Sequence, residues 1–348
     1  MLMRLIAIGV ALGLSGCSVT QNNAQADTQA AANASQEAPT LTPYYQLPAV
    51  RSFVERMVNE HDYDRNVLVS VFSSTYKREQ VITKSDNQPE VITPYYAYRE
   101  RFLDQARVSQ GARFAKRNQK WLAQAEQQFG VDRHVIVALL GVETAYGNIT
   151  GNRDVFTSLT TLAFDYPRRG QYFQSELEAY LLLARKEGWE IGTTNGSYSG
   201  ALGMVQFMPS NYLKLAIDFD KDGHIDLWGS EADAIGSIAN YMKHHGWRYG
   251  ERVAIPARVA DRDKVDDLVN KGRSPLHSMQ EWAQKGVWVT TDYSAQTAGL
   301  IGLREQEEQP TYWLAFENFF TIMDYNPSRR YAMSVWELAN RIAQYEDS

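Results

Sequence analysis

The segment from Val131 to Gly147 constrains the chain more than any other, because apolar residues recur there at helical spacing and a glutamate sits among them. At 100° per residue, Glu143 falls between Leu139 on one side and Ile136 and Leu140 on the other. A helix over this segment therefore carries the Glu143 carboxylate on the face it must bury. An isolated ionised carboxylate is costly in such surroundings, so the group should stay protonated to a higher pH than a free glutamate unless a cation pairs with it. A proton held in this way is what a general acid working near neutrality needs. Periodicity alone leaves a second reading open, a structural ion pair with an arginine such as Arg168 or Arg169.

The 348 residues carry a formal net charge of -6, are 44% hydrophobic and include one cysteine. That much apolar material can bury a core and excludes wholesale disorder. The mild acidity argues against a protein that grips nucleic acid or anionic lipid by bulk charge, and no nucleic-acid partner is expected. A lone cysteine permits neither a disulfide framework nor a CxxC metal knuckle. Its position is informative. Arg4 precedes an apolar run, Leu5 to Leu14, too short to span a bilayer, so residues 1–16 read as a signal peptide. Leu14-Ser15-Gly16-Cys17 resembles the bacterial lipobox, in which cleavage leaves a diacylglycerol-bearing cysteine as the new N-terminus. Cys17 is thus the expected lipidation site, anchoring the chain without a transmembrane helix. Ser18 in place of aspartate points to the periplasmic face of the outer membrane, with the lipid in its inner leaflet. Residues 17–43, rich in Gln, Asn, Ala, Ser and Thr, read as a flexible tether.

The predicted fold class is mainly α (α+β). Val50, Phe53, Val54, Met57 and Val58 share one helical face, as do Trp121, Leu122, Ala125 and Phe129. A helix with Phe173, Leu177, Leu181 and Ala184 should stop at Gly188. Past Gly246, short β-branched or aromatic runs at Val253–Val259, Val287–Thr291, Ala298–Leu303 and Tyr312–Phe316 predict strands. A last helix is expected over about Ala332–Gln344. The organisation expected is an N-terminal helical domain over 44–130, a core with Glu143 over 131–247, a small β unit over 248–320, and a C-terminal segment over 321–348 that returns to the helical part.

Asp218-Phe219-Asp220-Lys221-Asp222-Gly223-His224 reproduces the start of an EF-hand loop, with carboxylates at positions 1, 3 and 5, glycine at 6 and the His224 carbonyl at 7. Oxygens at this spacing suit Ca2+ as a structural ion. Position 12 is Gly229 rather than a bidentate glutamate, so the standard loop cannot close there.

Several segments together resemble the membrane-bound lytic murein transglycosylase B family, whose core is similar to goose-type lysozyme. They are Gly141 to Gly147, Tyr166-Pro167-Arg168-Arg169, Ser197 to Gly203, Gln206 to Ser210, Asp233 to Tyr241, and Tyr325-Asn326, in family order across most of 44–344. The resemblance implies cleavage of the β-1,4 bond between N-acetylmuramic acid and N-acetylglucosamine in peptidoglycan strands, by a monomer with no organic cofactor. A 1,6-anhydromuramoyl end forms, and Glu143 acts first as acid, then as base. Ordinary glycosidases need two carboxylates. The matched segments that would face the glycan hold no second acid. The resemblance further implies substrate-binding roles for Ser197, Gln206, Tyr172, Tyr241, Asn326 and Tyr331, and a longer metal loop closed by Asp233, with Glu231 as the other candidate. Val205 departs from the family, where glycine is common, and should press on the groove wall. A hydrolytic muramidase and a non-catalytic peptidoglycan-binding lipoprotein are the competing readings. Product analysis separates the first, and the acid on an apolar stripe speaks against the second.

Overall fold

Helical periodicity turns into helices through most of the chain, and the computed structural model describes residues 41–87, 93–273, 277–290, 297–304 and 310–348. The expected signal peptide, Cys17 and nearly all of the tether lie outside the described residues, as does Thr291 at the end of one expected strand. Among the described residues no helix is long and apolar enough to cross a membrane.

The helix bearing Glu143 runs from Arg133 to Thr144. It starts two residues later than the apolar pattern because Asp132 caps it, its side chain accepting from the His134 N–H. It stops at Thr144 because Ala145, Tyr146 and Gly147 all adopt positive φ, at 52°, 61° and 88°. The expected one-sided burial is not what the packing produces. Val135 through Leu140 are all fully buried, enclosed by the helices Gln105–Arg117, Gln119–Phe129, Glu231–His244 and Arg329–Glu346. A helix apolar all round belongs at the centre of a core, and Glu143 lies at its end rather than along a stripe.

Around it, the expected first helix spans Pro48–His61, and the helix stopped by Gly188 spans Gly170–Glu187 with that glycine at φ 69°. Side chains from 44–130, from 131–247 and from the last two helices, Glu317–Tyr325 and Arg329–Glu346, belong to one hydrophobic cluster. Residues 42–348 form a single compact unit.

A two-stranded pairing joins β1 (Arg153–Asp154) to β2 (Asn195–Gly196). The β unit is a five-stranded antiparallel sheet of β3 (Ala254–Val259), β4 (His277–Ser278), β5 (Val287–Trp288), β6 (Thr297–Arg304) and β7 (Pro310–Ala315), in the order β4-β6-β7-β3-β5. Leu314 of β7 faces Ile255 of β3 and Leu300 of β6. These three residues, with Trp282, Val265 and Phe316, make a second, smaller hydrophobic cluster. β5 ends at Trp288, short of the predicted run. Phe316 leaves the sheet to cap the helix Glu317–Tyr325. The sheet presents Gly302, Leu303 and Arg304 toward the cleft that holds Glu143.

Candidate active site

Three contacts fix the end of the Glu143 helix. The Thr144 hydroxyl donates to the Met204 carbonyl at 2.8 Å, the Tyr146 phenol donates to the Arg107 carbonyl at 2.9 Å, and the Asn148 amide folds back to Ala145. Tyr146 can turn back only because two helices are bare beneath it. A Cβ on Gly111 or Gly141 would lie 2.5 or 2.7 Å from its hydroxyl oxygen. Glu143 is thereby held, half-buried, at a cleft of about 910 Å3. It is the single acid among the described residues of that lining.

Tyr331, on the first turn of the helix Arg329–Glu346, donates its phenol to Glu143 Oε1. Burial first, and the nearby Glu143 charge second, push the Tyr331 pKa well above that of a free phenol, so the hydroxyl stays a donor. The same two causes act in the same order on Tyr325, whose hydroxyl donates to the Val205 carbonyl. Neither arginine of the ion-pair reading is spent on Glu143 in the contacts resolved: Arg168 reaches Asp86 at 3.5 Å, and Arg169 lies over the Tyr172 ring at 4.3 Å.

The other expected sugar-binding residues divide into two groups. Ser197, Gln206 and Asn326 line the cleft with Glu143. Ser197 Oγ accepts from the N–H groups of Ser199 and Ala201 and shares a hydrogen bond with the Ser199 hydroxyl at 3.1 Å. Gln206 sits at φ 51°, and its amide nitrogen donates to the carbonyls of Thr150 and Gly203, so its side-chain oxygen is the atom suited to a glycan N–H or O–H. Backbone strain of this kind is concentrated at functional sites. Tyr172 lies beside the cleft, in a hollow that shares Arg169, Ser199 and Met208 with it. Tyr241 and Tyr331 are buried rather than groove-lining. Tyr331 acts on Glu143 from below, and Tyr241 props Tyr325 at 4.8 Å between ring centroids while donating to the Asp324 carbonyl. Val205 is fully buried and faces the core, so its bulk does not press on the groove.

Asp218, Asp220 and Asp222 bring carboxylate oxygens within 4.8 Å of one another. Gly223 at φ 97° makes the turn, and the His224 N–H is fixed on Asp222 at 2.9 Å. Asp233 is not in this cluster. Its two oxygens accept from the N–H groups of Phe219 and Asp226 at 2.7 and 2.8 Å, which braces the loop from beneath. Burial, with smaller contributions from the Asp220 and Asp218 charges, raises its pKa against the pull of those hydrogen bonds. Glu231 is engaged by Arg117 and Asn118. The loop reaches its end through Asp226, which accepts from Trp228 and Gly229. A Cβ on Gly229 would meet that carboxylate at 2.5 Å, which explains the glycine at position 12.

Sequence reasoning did not single out Tyr325 as a site residue, nor Arg329, Arg330, or the wall formed by Asn270, Gly302, Leu303 and Arg304. Tyr325 stood inside a matched segment and the two arginines stand beside Tyr331. The β-unit residues gave no signal at all.

Among the described residues the cleft thus holds a single carboxylate, gripped by a phenol and edged with hydroxyl and amide groups, in a mainly helical fold. Residues 46–340 match the family described as the transglycosylase SLT domain. Membrane-bound lytic murein transglycosylase B of Escherichia coli is 37% identical over 306 residues, which cover 85% of this chain and 83% of that protein. The soluble lytic transglycosylase SltB1 from Pseudomonas aeruginosa has a similar structure, with a TM-score of 0.80 and 36% identity, covering 86% of this chain and 100% of that one. The Escherichia coli lytic transglycosylase SLT35 in complex with calcium gives 0.79 and 37%, covering 86% and 94%. The chain belongs to the transglycosylase SLT domain family and is an enzyme of the lytic transglycosylase class.

A hydrogen bond to a carboxylate contributes about 1.5–3 kcal/mol. Tyr331→Phe should therefore keep the fold, checked by circular dichroism, and lower turnover by roughly 10- to 100-fold. Unchanged turnover would reduce the phenol to packing.

Proposed function

We propose that this chain cleaves the β-1,4 bond between N-acetylmuramic acid and N-acetylglucosamine in peptidoglycan without consuming water. The supporting observation is that Glu143 is the one acid among the described residues lining the cleft. The Glu143 carboxylic acid donates its proton to the glycosidic oxygen, and the N-acetylglucosamine side departs as an alcohol. The C6 hydroxyl of the same muramic acid then attacks C1, closing the 1,6-anhydro ring. Its proton passes to the Glu143 carboxylate, which restores the acid. No second carboxylate is required, unlike the two of a hydrolase. Tyr331 holds the carboxylate in one orientation, while Ser197, Gln206 and Asn326 hold the sugar amide and hydroxyls.

General acid–base catalysis contributes typically about 10²–10⁴-fold. Glu143→Gln should lose that much turnover on purified sacculi, and mass spectrometry should find wild-type products one water lighter than hydrolysis gives. Products of hydrolytic mass, or full turnover by the variant, would refute the scheme.

We also infer that the loop holds calcium, and one structure of the relative SLT35 is in complex with calcium. Asp218, Asp220 and Asp222, with the His224 carbonyl, offer the hard oxygens that the ion prefers, and its charge would relieve their mutual repulsion. Asp233 organises this loop rather than entering the cluster. An ion bound only to the folded state stabilises it by about 2.7 kcal/mol at roughly a hundredfold excess over Kd. Calcium should raise Tm by about 4 °C on that basis, and magnesium by less. Equal shifts in wild type and Asp222→Ala would exclude the site.

The relative's name places it at a membrane. We infer that Cys17 carries a lipid that holds this chain on the periplasmic face of the outer membrane. Cys17→Ala should move the protein from the membrane pellet to the soluble fraction with specific activity intact. Retention in the pellet would argue for another anchor.

A further inference from the structure

Arg329 lines the Glu143 cleft and is poorly provided for by the protein alone. It begins the helix Arg329–Glu346, with Arg330 next to it, at the end where peptide dipoles already present positive charge. Its Nε is buried without a hydrogen-bond partner, and one of its amino groups donates to the Gly272 carbonyl at 2.5 Å. It makes no ion pair with any described residue. Burial first, then the charge of Arg273, push its pKa below the usual value. Arg273 itself is paired with Asp324 at 2.6 Å. Because a guanidinium stays charged in proteins, Arg329 is a half-buried cation that no acid among the described residues pairs with. The described residues of the same lining also include Arg330, and Glu143 is the one acid among them.

We infer that Arg329, assisted by Arg330, binds a free carboxylate of the peptide carried by the bound sugar strand. This rests on the reading of the substrate as peptidoglycan. The peptide hangs from the lactyl group of each muramic acid and ends in carboxylates, which a guanidinium fork grips in a bidentate manner. Arg329 stands three residues after Asn326 and two before Tyr331, which bonds Glu143. The carboxylate it holds therefore belongs to a peptide close to the bond being broken, and Arg329 acts as a specificity residue that registers the strand over the acid.

The test uses the full chain on soluble tetrasaccharides that share one glycan and differ in the appendage: peptides with free carboxylates, the same peptides with those groups converted to carboxamides, or the bare lactyl carboxylate. Wild type should show a kcat/KM about tenfold higher for the free acid than for the carboxamide, chiefly through KM. High salt should shrink that ratio. R329Q should bring the ratio to about one, and R329K should keep part of it. A wild-type ratio near one, or an R329Q ratio equal to the wild-type value, overturns the assignment. The second result is what loosening the Gly272 contact alone would give. A bare lactyl substrate that outruns the free-acid peptide would also overturn it, in favour of the sugar's own carboxylate. Failure to cleave any of these substrates would overturn the peptidoglycan reading, and this inference with it.

Discussion

A helix that is apolar on every side can carry an ionisable group only where it leaves the core, and the helix Arg133–Thr144 leaves it at Glu143. Directly after it the chain reverses. Two non-glycine residues, Ala145 and Tyr146, accept left-handed backbone to make that reversal. Such conformations persist only where the surroundings over-determine them. Here the Tyr146 phenol drops into the space left by Gly111 and Gly141, and Thr144 ties the turn to Met204. The position of the acid is thus a consequence of packing several residues away from it.

The same contacts run on toward the acidic loop. Met204, which receives the Thr144 hydroxyl, donates its own N–H to the Leu227 carbonyl at 2.7 Å, and Leu227 follows Asp226, whose N–H is held by Asp233. Gly203, between Leu202 and Met204, permits this approach because a Cβ there would lie 2.5 Å from the Leu227 carbonyl oxygen. The loop and the end of the Glu143 helix are therefore joined by a short run of hydrogen bonds, from the Thr144 hydroxyl through the Met204 backbone to the Asp233 carboxylate. Order in one bears on order in the other, although the carboxylates of the loop lie outside the cleft lining.

Much of this was legible in the sequence where local rules dominate. Period and stop signals gave the helices ending at Gly188 and starting near Pro48, and turn residues gave four of the five strands of the β unit but not the two-residue β4, because caps, glycines and alternation act over a few residues. Tertiary enclosure was not legible. The Glu143 helix looked one-sided because a wheel shows the pattern of one segment and not how many neighbours surround it. The metal-loop acids split for a similar reason: spacing identified Asp218, Asp220 and Asp222, but only the fold shows that Asp233 spends both oxygens on backbone N–H groups. Tyr241 and Tyr331 carried the right residue type, and their burial beneath the site depended on helices distant in sequence. Asn270 and Gly302, bonded to each other across the edge of the β unit, could not be placed at the cleft from any local pattern.

The β unit has a small core of its own around Ile255, Val265, Trp282, Leu300, Leu314 and Phe316, while Ile301, Leu303 and Ala315 of the same sheet pack into the larger one that encloses the Glu143 helix. It nonetheless supplies Gly302, Leu303 and Arg304 to the cleft. Of these three, only Arg304 is exposed, so a substitution there is felt by whatever lies in the cleft without disturbing the packing that aims the acid. The strand end at Arg304 can therefore change the charge it offers to the cleft while the core keeps the acid in place.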